Sequence, residues 1–122
     1  MKKSFRLTRS NDFKRVRLVG KAYSHPLVVL YCAPGEPSQT RVGITAGKWM
    51  GGAIKRNRAK RLLREVMRLL YPNIHPGNDL LLIARDRLYK ANLLQIRFAL
   101  EIVLNRAKLL TIKNDNHTLL SQ

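Results

Sequence analysis

Cysteine occurs once in the 122 residues, at Cys32, so neither an intrachain disulfide nor a zinc site built on several thiolates is possible. Free cysteine is usually buried, and Cys32 lies in an apolar run, so it is read as a small hydrophobe on a strand. Acids are scarce as well, seven against 24 Lys and Arg. Asp12, Glu36, Glu65, Asp79, Asp86, Glu101 and Asp115 are scattered, without the cluster that a two-metal nuclease needs. His25, His75 and His117 lie far apart at no metal-ligand spacing, which leaves them surface or capping roles. No catalytic residue and no metal ligand is therefore expected in the chain. No apolar run approaches the roughly 20 residues that span a bilayer. The opening Met1-Lys2-Lys3-Ser4-Phe5-Arg6 has no secretory apolar core, because basic residues recur through Lys21. The expectation is a cytoplasmic protein that engages no membrane and requires no protein partner.

Positive charge, in contrast, is abundant. A formal net charge of +17 repels itself in a compact fold unless an anionic partner offsets it, and nucleic acid is the leading candidate. The length suits one hydrophobic core rather than two, and no internal repeat or low-complexity linker divides the chain. Residues 1–122 are expected to form a single domain, with a basic N-terminal arm over 1–8 and a polar C-terminal tail over about 113–122.

Local patterns divide this domain into helices and strands. Ser10 to Val19 spaces Phe13 and Val16 at i, i+3 and meets a glycine stop at Gly20, which predicts a short helix. The β-branched and aromatic run Leu27 to Ala33, the turn residues PGEPSQ, and the run Thr40 to Ala46 predict two strands joined as a hairpin. Pro26 lacks an N–H donor and is expected at a strand start or along an edge. A long helix should follow from Ala53 to Tyr71, ended by Pro72, then a compact apolar strand over Asp79 to Arg85. A last helix is expected over Leu93 to Leu110, with Ile96, Leu100, Val103, Leu104 and Ala107 on one stripe. Helices interleaved with three or four strands predict an α/β layer structure with helices covering one face of a small sheet.

The long helix carries the main functional signal. At about 100° per residue, Ala59, Leu62, Leu63, Val66, Met67 and Leu70 share one apolar arc, while Asn57, Lys60, Arg61, Arg64 and Arg68 lie opposite. The polar row spans about 16 Å at roughly 1.5 Å rise per residue. Lys60, Arg64 and Arg68 follow one another at i, i+4, and each like-charge pair weakens an isolated helix by about 0.2–0.5 kcal/mol. Basic residues near the helix N-terminus also oppose its macrodipole. Helix stability does not explain this arrangement, whereas a phosphate backbone does, since fork-shaped arginine donors give bidentate contacts to it. Asn57 adds an uncharged donor and acceptor suited to a phosphate, a ribose hydroxyl or a hydrated metal ion. On these residues alone, a structural RNA-binding protein of the ribosome-associated type and a DNA-binding module both stay open.

The stretch RVGITAGKWMGGAIKRNRAKRLLRE, Arg41 to Glu65, resembles the signature region of the bacterial ribonuclease P protein component, with Arg56-Asn57-Arg58 as that family's RNR motif. Asp12-Phe13 in a short first helix and the run Val28 to Tyr31 fit in order and spacing, so the resemblance runs from about Phe5 to about Lys108. It implies an α/β (α+β) two-layer sandwich of order α-β-β-β-α-β-α, resembling a ribosomal-protein domain, with a left-handed crossover around the motif helix. The function it implies is that of a protein subunit joining a catalytic RNA that cleaves the 5′ leader from precursor tRNA, with magnesium bound mainly by the RNA. Carried over by position, Lys48, Arg56, Asn57, Arg58, Lys60, Arg61 and Arg64 would face RNA, and Arg68 continues their row. Phe13 and Tyr31, with Arg17 beside them, would face the leader. Two positions depart from the family pattern: Arg17 stands where a second aromatic is common, and Trp49 falls where the family commonly has adjacent basic residues, offering a stacking or packing group instead of a cation.

Overall fold

The computed structural model describes residues 6–111. Chain order is α1 (Ser10–Val19), β1 (Lys21–Ser24), β2 (Val28–Pro34), β3 (Arg41–Ala46), α2 (Ala53–Leu70), β4 (Asn78–Ala84) and α3 (Leu93–Arg106), the α-β-β-β-α-β-α order that the resemblance implies. The strands form one mixed sheet in the order β1-β2-β4-β3. β1 pairs antiparallel with β2, β2 antiparallel with β4, and β4 parallel with β3.

The expected hairpin between the second and third strands is not formed, because β4 lies between them. Apart from Asn78, every residue of β4 is buried, with Leu80, Leu82 and Ala84 on one face and Leu81 and Ile83 on the other. A strand apolar on both faces is stable only in a sheet's interior. β3, with Gly43 and Thr45 on one face, goes to the edge instead. The hairpin that does form is β1–β2, which the strand patterns had not resolved. Pro26 sits in its turn, where His25 and Val28 exchange backbone bonds of 2.9 and 3.2 Å.

α2 and α3 cover one sheet face. Ala59, Leu63, Val66, Met67 and Leu70 of α2 join Ile96, Leu100, Val103 and Leu104 of α3 over Val28, Leu30, Val42, Leu80 and Leu82. Leu62 is half-buried at the margin of the same arc, and Cys32 is a half-buried core neighbour on β2. α1 packs on the opposite face, where Leu7, Val16, Ala33, Leu81 and Ile83 make a smaller cluster with Phe13, Val29 and Tyr31.

α3 stops four residues earlier than its periodicity predicts. Lys108 turns into the left-handed region at φ 60°, its N–H bonds Asn105, and the N–H of Leu109 reaches back to Leu104 at 2.9 Å. This is a Schellman ending with lysine in the place usually held by glycine, so no glycine marks it in the sequence. Leu110 then bridges to Ile74. The expected polar tail from Lys113 and the first five residues of the arm lie outside the described residues.

Candidate nucleic-acid interface

α2 separates its side chains as its periodicity predicts. Asn57, Arg58, Arg61, Arg64 and Arg68 are exposed and Lys60 is half-buried, opposite the core-facing arc. Glu65 is the only acid in the helix and pairs with Arg68 at 3.0 Å, exposed on both sides, which makes Arg68 the least available cation of the row. Lys60, Arg61 and Arg64 make no ion pair or side-chain hydrogen bond to another described residue. Their charge is held, unpaired among the described residues, on a helix anchored in the core through Ala59, Leu63, Val66, Met67 and Leu70.

The three motif residues diverge from one another. Arg56 turns back along the chain and donates from Nη1 to the Gly51 carbonyl at 3.1 Å. Arg58 donates from Nε to the Tyr89 carbonyl at 3.1 Å, which ties α2 to the single-turn segment Leu88–Lys90 after β4. Asn57 points out between them with no side-chain bond to a described residue. Lys55 and Lys90 both stand over the Tyr89 ring, at 5.0 and 5.7 Å from its centroid, a grouping that sequence reasoning missed. Its one local signal was an aromatic set among basic residues in RDRLYK. Lys48 is exposed in the single-turn segment Lys48–Met50 that leads into α2.

On the other sheet face, Phe13, Arg17 and Tyr31 come together. Phe13 and Tyr31 are half-buried against the smaller cluster, and the Arg17 guanidinium stands 5.7 Å from the Tyr31 ring centroid. Gly43 of β3 lies under Phe13, and a Cβ there would come within 2.6 Å of the ring. A cleft of about 210 Å³ opens beside this ring, lined by Arg6, Thr8, Phe13, Ile44 and Arg64. Arg64 of the basic helix and Phe13 of the aromatic group therefore share one depression across the β3 edge, joining two sets that the sequence treats as separate. Arg6 and Thr8 reach it because the arm bridges to β3, with the Leu7 N–H on the Val42 carbonyl at 2.9 Å.

Beside α1 lies a buried charge cluster. Asp79, 1% exposed, accepts from Arg41 Nε at 3.0 Å and Nη2 at 2.8 Å, and from Arg15 of α1. Burial alone would raise its carboxyl pKa, but the bonds and charges of Arg41 and Arg15 outweigh that and hold it below the usual value. Arg15 also reaches Asp12 at 3.4 Å. This network fastens α1 to β3 and β4 and so sets the position of Phe13 and Arg17. Among the described residues, no three His, Cys, Asp or Glu side chains gather as a metal-ligand set.

A rigid helix with unpaired cations, and an aromatic cleft continuous with it, define a small α+β protein built to hold a polyanion. Residues 1–108 match the family described as Ribonuclease P. The ribonuclease P protein component of Herpetosiphon aurantiacus is 43% identical over 109 residues, covering 89% of each chain, and that of an Exiguobacterium species is 37% identical over 108 residues, covering 88% of this chain and 94% of the relative. The ribonuclease P protein of Staphylococcus aureus superposes with a TM-score of 0.78 at 32% identity, over 88% of this chain and 99% of that one. The Thermotoga maritima protein gives 0.74 at 27% identity, over 82% and 97%. The chain belongs to the ribonuclease P protein family. Its role is that of the protein subunit in an endoribonuclease ribonucleoprotein of tRNA 5′ processing.

Proposed function

We propose that the exposed row of α2 binds the catalytic RNA of the complex and that the surface of Phe13, Arg17 and Tyr31, with the cleft beside Phe13, receives the 5′ leader of precursor tRNA. The observation that carries this reading is the set Lys60, Arg61 and Arg64, which makes no ion pair among the described residues and adjoins the cleft beside Phe13 through Arg64. Phosphates bound along the row release counterions, which supplies sequence-independent affinity, and an unpaired leader base finds the Phe13 ring at the cleft and the Tyr31 ring beside Arg17. Lys48, Arg56, Arg58 and Arg68 extend the RNA-facing surface, and Asn57 supplies a neutral hydrogen-bonding group at its centre. The chain's own residues bind and orient RNA. The cleavage step, with its magnesium, belongs to the catalytic RNA. The protein acts in the cytoplasm as a single domain over residues 1–122, and none of the described helices is long and apolar enough to cross a membrane. Family membership disfavours the ribosome-associated alternative.

Reconstitution with the catalytic RNA at low magnesium tests the reading. Added protein should increase both leader cleavage and affinity for precursor tRNA, and unchanged values for both would refute it.

A further inference from the structure

Trp49 is the only tryptophan in the chain and is 69% exposed, although large aromatics are normally well covered. Its place is fixed from both sides. Met50, the next residue, is buried in the core, and the turn is closed by the Met50 N–H on the Gly47 carbonyl at 3.1 Å and the Gly51 N–H on the Lys48 carbonyl at 3.2 Å. The indole lies against Gly47, where a Cβ would collide with its Cζ2 and Cη2 atoms. One side of the ring is therefore seated on backbone and the other is bare.

The surroundings are basic. Lys48 precedes the ring, the Lys55 side chain runs beside Gly51, and Arg56 bonds the Gly51 carbonyl. No acid occurs between Glu36 and Glu65. A bare, prepositioned π-face among cations is complementary to an unpaired nucleotide, with its base on the ring and its phosphates near the lysines. An acidic protein surface would satisfy the cations and leave the ring without a planar partner.

We propose that Trp49 is a base-stacking platform for an unpaired nucleotide of RNA. This rests on the reading of the chain as an RNA-binding subunit and adds to it a recognition residue outside the motif helix. The nucleotide comes from the catalytic RNA or from the precursor tRNA, which share this chemistry.

Because Trp49 is the sole tryptophan, its emission in the full-length protein reports on the site directly. The protein is titrated first with catalytic RNA and then, as the preformed complex, with leader-bearing precursor tRNA, while binding is followed independently by filter retention. Quenching in the first step assigns the base to the catalytic RNA, and quenching only in the second assigns it to the precursor. Trp49→Ala should weaken binding of that same RNA about tenfold with the salt slope unchanged, and Trp49→Phe should recover most of the loss. Circular dichroism checks that both variants fold. Stacking requires both signals. Quenching without an affinity loss, an affinity loss without quenching, or neither while binding proceeds overturns the proposal and leaves the RNA-binding reading standing. Failure of the wild-type protein to bind either RNA removes that reading and the stacking proposal with it.

Discussion

Two groups of arginines in this molecule do opposite things. Arg15 and Arg41 converge on one buried carboxylate, Asp79, and hold α1 to the sheet. Arg61 and Arg64 face outward from α2 and make no ion pair among the described residues, the nearby Glu65 being paired with Arg68. The side chain is the same in both groups, and only the presence of a buried counter-charge differs. A chain with 24 basic and seven acidic residues cannot neutralise its charge internally, so the few acids it has mark where a cation serves the fold.

Substitutions can break this contrast from either side. The largest effect is expected from Asp79→Ala, which leaves two guanidiniums facing each other without their anion. Breaking a buried pair costs about 3–5 kcal/mol, and the partial solvent access of both arginines puts the expected loss near the lower end, about 3 kcal/mol, read by denaturant unfolding. Acid titration examines the same group. The folded carboxyl pKa lies below its ordinary value, so its contribution is intact above the ordinary carboxylate range and is lost as pH falls through the lower folded value. Thermal melts should show an acid limb that is shallower in Asp79→Asn than in the wild type.

On the interface side, Arg61→Ala with Arg64→Ala should leave unfolding unchanged within about 0.5 kcal/mol, since both positions are exposed on the helix. RNA affinity should fall, and the slope of log affinity against log salt should flatten by roughly one to two units. An unchanged slope would remove these residues from the interface. Asn57→Ala sharpens the comparison further, because it removes hydrogen bonding without charge: affinity or reconstituted cleavage should fall several-fold with the salt slope unaltered. Loss of folding in that variant would instead make Asn57 a structural residue. Smallest of all, Glu65→Gln should change stability by no more than about 0.5 kcal/mol, as expected for an exposed i, i+3 pair, while freeing Arg68 and slightly strengthening RNA binding.

The parts of the fold that depend on short-range periodicity were legible in the sequence. α1 and the two-faced α2 are where the spacing of Phe13 and Val16, and of Ala59 to Leu70, puts them. Sheet order was not legible, because a hairpin rule considers only neighbouring strands. The central place of β4 follows from a competition among strands for burial on both faces. The end of α3 was missed because Lys108 adopts a conformation that its side chain does not advertise. Of the site, the basic row follows from a helical wheel. The meeting of Phe13, Arg17 and Tyr31 required the family resemblance, since α1 and β2 are brought together by long-range packing in the smaller core. The cleft shared by Arg6, Phe13 and Arg64 was in neither, because it depends on an arm that closes over β3.

That closure also covers part of an exposed sheet edge. β3 is an outer strand, and an open outer strand offers unpaired backbone groups on which a second chain can add. The bridge between Arg6 and Val42 occupies part of that ladder and sets a cation beside it. At the opposite border, β1 is only four residues long and begins with the exposed Lys21. The described part of the arm thus leaves less of the β3 ladder open to strand addition by another copy.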